Sequence, residues 1–225
     1  MVDCNRDAVE TAAEDLHKEG LSVQAEQADV RFYAEVEGVV QKTLSSRDNV
    51  DILVNFAGGN APRIWKSSNY FPQLDPEIID WGIDVNLKGP IHFARAVLPI
   101  MIRQKGGTII NIGSTAGTAG HESLDYSTAK SGIMNGLTKS LAIYGAKYGV
   151  RCCCVTPGPV LTRPEMANMA TLLGYAAEPW EVVDFVLYLC SDHGRSMTGA
   201  EYIIDGGRSA TVMDTVACEA PSGSK

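Results

Sequence analysis

Short apolar runs alternate with helical patterns along almost the whole chain, and no other feature limits the fold so strongly. The runs are Leu21–Ala25, Asp51–Asn55, Thr108–Ile112, Arg151–Thr156 and Tyr202–Ile204, each bounded by Gly, Pro, Asn or Asp. Between them, apolar residues recur at helical spacing: Val36, Val39, Val40 and Leu44; Ile79 and Ile83, then Phe93, Val97 and Ile100; Ile133, Leu137, Leu141 and Tyr144; Val182, Val183, Val186 and Leu189. A strand–helix alternation of this kind predicts a parallel sheet with helices on both faces, a doubly wound α/β domain. The opening stretch, "MVDCNRDAVETAAEDL", reads as the last residues of a strand, a polar turn and a helix carrying Val9, Ala12, Ala13 and Leu16.

The chain has 225 residues, 45% hydrophobic and 20% charged, enough for one sizeable core. We expect a single domain over residues 1–210 and a flexible tail over 211–225. The net charge of -8 is spread without long runs, which argues against a nucleic-acid surface. No stretch approaches the roughly 18 apolar residues of a membrane span, and the acidic start (Asp3, Asp7, Glu10) lacks the pattern of a secretory signal. Cys152, Cys153 and Cys154 are consecutive in an apolar run and read as small buried hydrophobes. They favour a reducing, cytoplasmic setting, and no cysteine or histidine spacing points to a metal site.

Ligands of an open parallel sheet bind beyond the carboxyl ends of its strands. Three segments there are rich in Gly or Pro: "NFAGG" from Asn55, "GSTAG" from Gly113 and "PGPVLT" from Pro157. In "DYSTAKSG", Tyr126 and Lys130 are four apart at the start of a helix and share a face. An ammonium beside a phenol would lower its ionisation from near pH 10 and make it a usable proton donor and acceptor for an alcohol oxygen. Ser114 ends the preceding strand, where its hydroxyl can bind the same oxygen.

These pieces, in order, resemble the short-chain dehydrogenase/reductase family: "ADV" (28–30), "NFAG" (55–58), "VNLKG" (85–89), "INIGSTAG" (110–117), "YSTAK" (126–130), "PGPVLT" (157–162) and "DGG" (205–207). The resemblance implies a Rossmann-type sheet and an NAD(P)-dependent oxidoreductase that interconverts a secondary alcohol and a ketone. In it Tyr126 is the acid/base, Lys130 lowers the pKa of Tyr126 and holds the nicotinamide ribose, Ser114 orients the substrate oxygen, and Asn86 completes a proton relay through water. It further implies that Asp29 and Val30 lie near adenine, that Asn55, Ala57 and Gly58 line the ribose side, and that Pro157, Gly158, Val160 and Thr162 surround the nicotinamide. Thr162 has a second reading, as the cap of a helix beginning near Pro164.

Asp3 matches the acid that ends the family's second strand and binds the adenosine ribose, which favours NAD; Arg6 leaves NADP open. The family's first strand, glycine-rich phosphate-binding turn and helix have no counterpart here. We therefore expect the central strand and its helix to be absent and the sheet to open between Val2 and the strand at Asp51–Asn55. The alternative function is a chain that keeps the active-site residues but holds no dinucleotide, at most as a partner subunit. The resemblance implies a homodimer or homotetramer, with the long helix from about Tyr126 to Tyr148 packed against its copy. The stretch Gly59–Leu74, with Trp65, Tyr70 and Phe71, reads as a long loop at a substrate mouth or a subunit contact. Its opening "GGNAPR" resembles members acting on sugar acids or polyols.

Overall fold

The computed structural model describes residues 1–69 and 71–210; the expected tail at 211–225 and Tyr70 lie outside them. The chain runs through β1 (Val2–Asp3), α1 (Arg6–Lys18), β2 (Glu26–Gln27), α2 (Tyr33–Ser46), β3 (Ile52–Asn55), α3 (Ala61–Ile64) and α4 (Pro76–Ile83). A π-helical turn at Asp84–Lys88 leads into α5 (Gly89–Gln104), followed by β4 (Gly107–Ile112), α6 (Thr115–Ala119) and α7 (Leu124–Ser131). A second π-turn, Gly132–Leu137, joins α7 to α8 (Thr138–Gly145); β5 (Val150–Pro157), α9 (Pro179–Cys190) and β6 (Glu201–Ile204) complete the order.

All strand pairs are parallel, in the order β3-β4-β5-β6. The strands are nearly continuous apolar runs because both faces are covered. Alternation along β4 and β5 divides the core in two. Ile109, Val150 and Cys152 pack on one face with Val40, Val97, Ile100 and Met101; Ile110, Cys153 and Val155 pack on the other with Val182, Val186 and Leu189. Each such side chain contributes about 1.5–3 kcal/mol by leaving water. The three consecutive cysteines are fully buried, as expected of small hydrophobes, and burial pushes their thiols up. No helix among the described residues is long and apolar enough to cross a membrane.

The other end of the molecule is built more thinly. β1 and β2 form a separate two-stranded sheet in the register Val2↔Glu26 and Asp3↔Gln27. The sheet is therefore divided where an opening was expected, and Ile52 on the outer strand β3 is 47% exposed. The strand expected at Leu21–Ala25 is not formed. Pairing needs a partner, and β1 offers only two residues, so the ladder begins at Glu26, while Leu21 lies exposed. The long loop expected at Gly59–Leu74 also contains structure: α3, capped by the Asn60 side chain, and a 3-10 turn at Phe71–Gln73.

Candidate active site

The segments that follow β3, β4 and β5 emerge at one edge of the larger sheet, because parallel strands align their carboxyl ends. Tyr126 lies on the first turn of α7 and is half-buried. Ser114, at the end of β4, caps α6 by accepting from the Ala116 amide at 3.2 Å. Burial is the largest influence on the Tyr126 phenol and holds its pKa above the ordinary value. Against this act the Ser114 hydroxyl and the charges of Arg163 and Arg63, all of which favour the phenolate.

Lys130 shares the Tyr126 face of α7, as helical spacing requires, and its Nζ lies 5.7 Å from the Tyr126 ring centroid. The ammonium donates instead to the Ile112 carbonyl at 2.8 Å. Burial lowers its own pKa to about 8, with Cys154 acting weakly in the other direction. Where a lowering of the phenol by Lys130 was expected, burial raises it, and the ammonium is directed to a backbone carbonyl.

Asn86 is fully buried, and its side chain is spent on backbone. Its Oδ1 accepts from the Gly59 amide at 2.9 Å, while Nδ2 donates to the carbonyls of Gly59 and Gly82, each at 2.8 Å. A water relay through the side chain has no free donor here. The π-turn around Asn86 is a local departure from helical bonding of the kind often found at functional sites. Gly58 packs tightly beside this group, since a Cβ there would lie 2.7 Å from Asn86 Oδ1 and 3.3 Å from Lys130 Nζ. The backbone after β3 must be this close for Asn86 and Lys130 to meet it.

The other expected positions follow the strands of both sheets. Asp3 is exposed and accepts from the Asn5 amide at 2.8 Å. Asp29 is held by Arg31 through both carboxylate oxygens at 2.6–3.0 Å, and these bonds keep its pKa below the usual range. The Val30 carbonyl accepts from His92 when that imidazole carries its proton on Nδ1, and the Val30 side chain fills the space beside Gly89. Asn55 turns its side chain into the core, donating to Asn111 Oδ1 at 2.8 Å, so only its backbone faces the site with Ala57 and Gly58. Pro157 ends β5, and Gly158 abuts Asp205 so closely that a Cβ would lie 2.6 Å from the Asp205 Cβ. Val160 packs against the core of Ile110, Cys153 and Val155 and bridges to Ala177. Thr162 is exposed and donates to the Val160 carbonyl at 3.4 Å. The segment from Pro164 is a short 3-10 turn capped by Arg163, not a helix capped by Thr162.

These residues fit the nicotinamide riboside and adenosine ends of a dinucleotide. Lys130, Tyr126 and the close-packed Gly58 backbone would serve one end; Asp3 and the Asp29 segment would serve the other. The turn after β1 is Cys4-Asn5, without glycine, and its first free amides are met by Asp3 and Asn5 side chains.

Several site residues carry no sequence motif of their own. Arg63 stands on α3 and Arg163 in the segment after β5. Asn111 is the centre of a buried chain from Asn55 to Thr138 Oγ1, the latter at 3.0 Å. Asp125 is buried in the seam between α7 and α4 with neither carboxylate oxygen bonded, and burial raises its pKa. It occupies the space a side chain at Gly82 would need, 1.9 Å from that position.

The short-chain dehydrogenase profile matches residues 1–172. Oxidoreductase UcpA of Salmonella typhimurium is 34% identical over 221 residues, covering 89% of this chain and 81% of that protein. The 7alpha-hydroxysteroid dehydrogenase of Bacteroides fragilis is 30% identical over 218 residues, covering 92% and 83%. A dehydrogenase subunit of Thauera aromatica, BbsD, named for (2S)-[(R)-hydroxy(phenyl)methyl]succinyl-CoA, is 32% identical over 216 residues, covering 92% and 84%. A solved short-chain dehydrogenase/reductase of Burkholderia xenovorans superposes with a TM-score of 0.83 at 29% identity, covering 94% of this chain and 84% of that one. With its Rossmann-type fold and the assembled Ser114, Tyr126 and Lys130, the chain belongs to the short-chain dehydrogenase/reductase family of oxidoreductases.

Proposed function

We propose that this protein interconverts a secondary alcohol and a ketone with NAD as its dinucleotide, Tyr126 being the acid/base. The observation that carries the reading is the convergence of Tyr126, Ser114 and Lys130 at the end of β4. The names of two relatives, a 7alpha-hydroxysteroid dehydrogenase and a (2S)-[(R)-hydroxy(phenyl)methyl]succinyl-CoA dehydrogenase subunit, agree with alcohol chemistry. The nicotinamide, when bound, supplies or accepts the hydride. Ser114 binds the reacting oxygen. Tyr126 gives that oxygen a proton in the reduction direction and takes it back in oxidation. Burial favours the neutral phenol, while Ser114, Arg163 and Arg63 ease its ionisation. Asn86, on the π-turn beside the site, would complete a proton relay through water. Lys130 and the backbone of Gly58 hold the nicotinamide ribose, and Pro157, Gly158, Val160 and Thr162 flank the ring. Asp3 takes the adenosine ribose hydroxyls, with Asp29 and Val30 near adenine.

A carboxylate at Asp3 repels a ribose phosphate, so NAD is expected to bind more tightly than NADP in equilibrium titration. Asp3→Ala should narrow that difference; NADP binding as tightly as NAD would remove Asp3 from this role. The division between the two sheets favours a second reading, a chain that keeps the site but holds no dinucleotide. Absence of NAD binding by the folded protein would select it. We further propose a homodimer or homotetramer through the α7–α8 helix, whose Ile143 and Tyr144 are 81% and 55% exposed. Sedimentation as a single monomeric species would exclude that assembly.

A further inference from the structure

A single side chain joins the floor of the site to the helix that carries the phenol. Asn60 is half-buried and directly follows Gly59. Its Oδ1 accepts from the Arg63 amide at 3.0 Å and so caps α3. The Arg63 amide is a donor, which makes the end of the carboxamide facing it the oxygen and leaves Nδ2 to donate to the Ser123 hydroxyl. Ser123 is the N-cap residue of α7, three before Tyr126. A serine there ordinarily turns its oxygen to the free amides of its own helix. Ser123 makes no such bond, and its hydroxyl receives Asn60 instead.

Both ends of this link are fixed. The Gly59 amide and carbonyl are each bonded to the Asn86 side chain, and Gly58 is so near Lys130 that a Cβ there would lie 3.3 Å from Nζ. Asn60 therefore moves only with the backbone that faces Lys130. On the helix side, the Ser123 amide donates to His121 Nδ1 at 3.1 Å, and its carbonyl accepts from the Ser127 amide at 2.9 Å. The Ser127 hydroxyl donates to the Ala116 carbonyl at 2.7 Å, on α6, the helix that Ser114 caps. The two bonds divide the work: Ser127 sets the Tyr126 turn against Ser114, and Asn60 sets it against the floor. Asp125 adds only packing at Gly82, without a hydrogen bond. Among the described residues, Asn60 to Ser123 is the one side-chain hydrogen bond between the start of α7 and the loop after β3.

We propose that Asn60 is a positioning residue for the reaction, its bond to Ser123 setting the Tyr126 phenol against the floor where Lys130 stands. This rests on the reading of Tyr126 as the acid/base, but one arm of its test needs no turnover. Asn60→Ser keeps a capping oxygen for α3 and is too short to reach Ser123. Ser123→Ala removes the same bond from the other side, and serves alone should Asn60→Ser fail to fold. Asn60→Asp is the conservative variant, because its carboxylate still caps α3 and the Ser123 hydroxyl can turn to donate to it. In protein whose tyrosines carry an NMR-visible carbon label at Cζ, the Tyr126 signal is the one lost in Tyr126→Phe. Asn60→Ser and Ser123→Ala should move that signal beyond its wild-type line width, and Asn60→Asp should leave it in place. With a hydroxy compound that the wild type oxidises, the first two should each lower kcat about tenfold or more and change KM less than about twofold. The double variant should lose no more than either single one, and Asn60→Asp should recover most of kcat. An unmoved Tyr126 signal, additive losses in the double variant, or an Asn60→Asp as impaired as Asn60→Ser would overturn the proposal. Where the wild type shows no turnover, the spectral arm decides alone. A signal that moves as expected, with Tyr126→Phe turning over like the wild type, would leave the positioning role standing and remove the acid/base reading instead.

Discussion

The two sheets of this molecule obey the same pairing rules yet are held very differently. In β3 to β6 the ladders run four to six residues, both faces are buried, and the buried Asn55–Asn111–Thr138 chain ties β3, β4 and α8 together. In β1 and β2 the ladder is two residues long, and the contacts around it are exposed polar ones such as Glu26 with Lys42 at 2.7 Å. The groups that would move a proton all stand on the first sheet. Asp3 and Asp29, proposed for the adenosine end, stand on the second. Catalytic geometry is therefore supported by core packing, whereas the adenosine end rests on a small appendage.

Disrupting the larger sheet should have the greatest effect on stability. Asn111→Leu leaves the buried Asn55 amide and Thr138 hydroxyl without their partner and should cost about 3 kcal/mol in chemical denaturation. A loss no greater than that of a surface change would show that the polar chain does not hold the sheet.

Lys130→Met tests the same region with the opposite sign. The folded pKa of Lys130 is about 8 against an ordinary 10.5, so burying the ammonium costs about 3 kcal/mol below pH 8. After allowing about 1 kcal/mol for the lost bond to Ile112, the variant should be about 2 kcal/mol more stable at pH 7. The depressed pKa means that the wild type recovers stability as pH rises from 8 towards 10.5, so the gap should close over that range. A gap that stays constant with pH would place the lysine's cost elsewhere.

Glu26→Gln in the small sheet should cost less than about 0.5 kcal/mol, because Lys42 is 60% exposed and the pair is screened. Its carboxyl pKa is lowered chiefly by the bond to Lys42, so this contribution is present above the ordinary carboxylate pKa and lost as pH falls through the lowered one. Amide exchange should sharpen the contrast further: β4 and β5 exchanging only through global unfolding, β1 and β2 through local opening. Equal protection in both sheets would break the comparison.

The same contrast explains what could be read before the fold was known. β4 and β5 are long apolar runs whose identity does not depend on their neighbours, and their limits fall within a residue or so of the expected ones. β2 is set by where β1 can pair, a tertiary fact, and Leu21–Ala25 mimics a strand without a partner. Tyr126 and Lys130 share a face because helical spacing demands it. Which acceptor the ammonium chooses depends on the Ile112 carbonyl, which no motif records. Asn55 and Asn86 lie in recognisable motifs, yet their side chains turn to Asn111 and to backbone, directions that only packing decides. Arg63 and Arg163 both favour the Tyr126 phenolate from separate parts of the chain, and no spacing rule joins them.

The central claim is that Tyr126 moves the proton. The most direct measurement is turnover by Tyr126→Phe across a panel of hydroxy compounds and ketones accepted by the wild type, with dinucleotide affinity measured in parallel. The account predicts a loss of about 10²–10⁴-fold in turnover with unchanged dinucleotide affinity; turnover retained at the wild-type rate would contradict it.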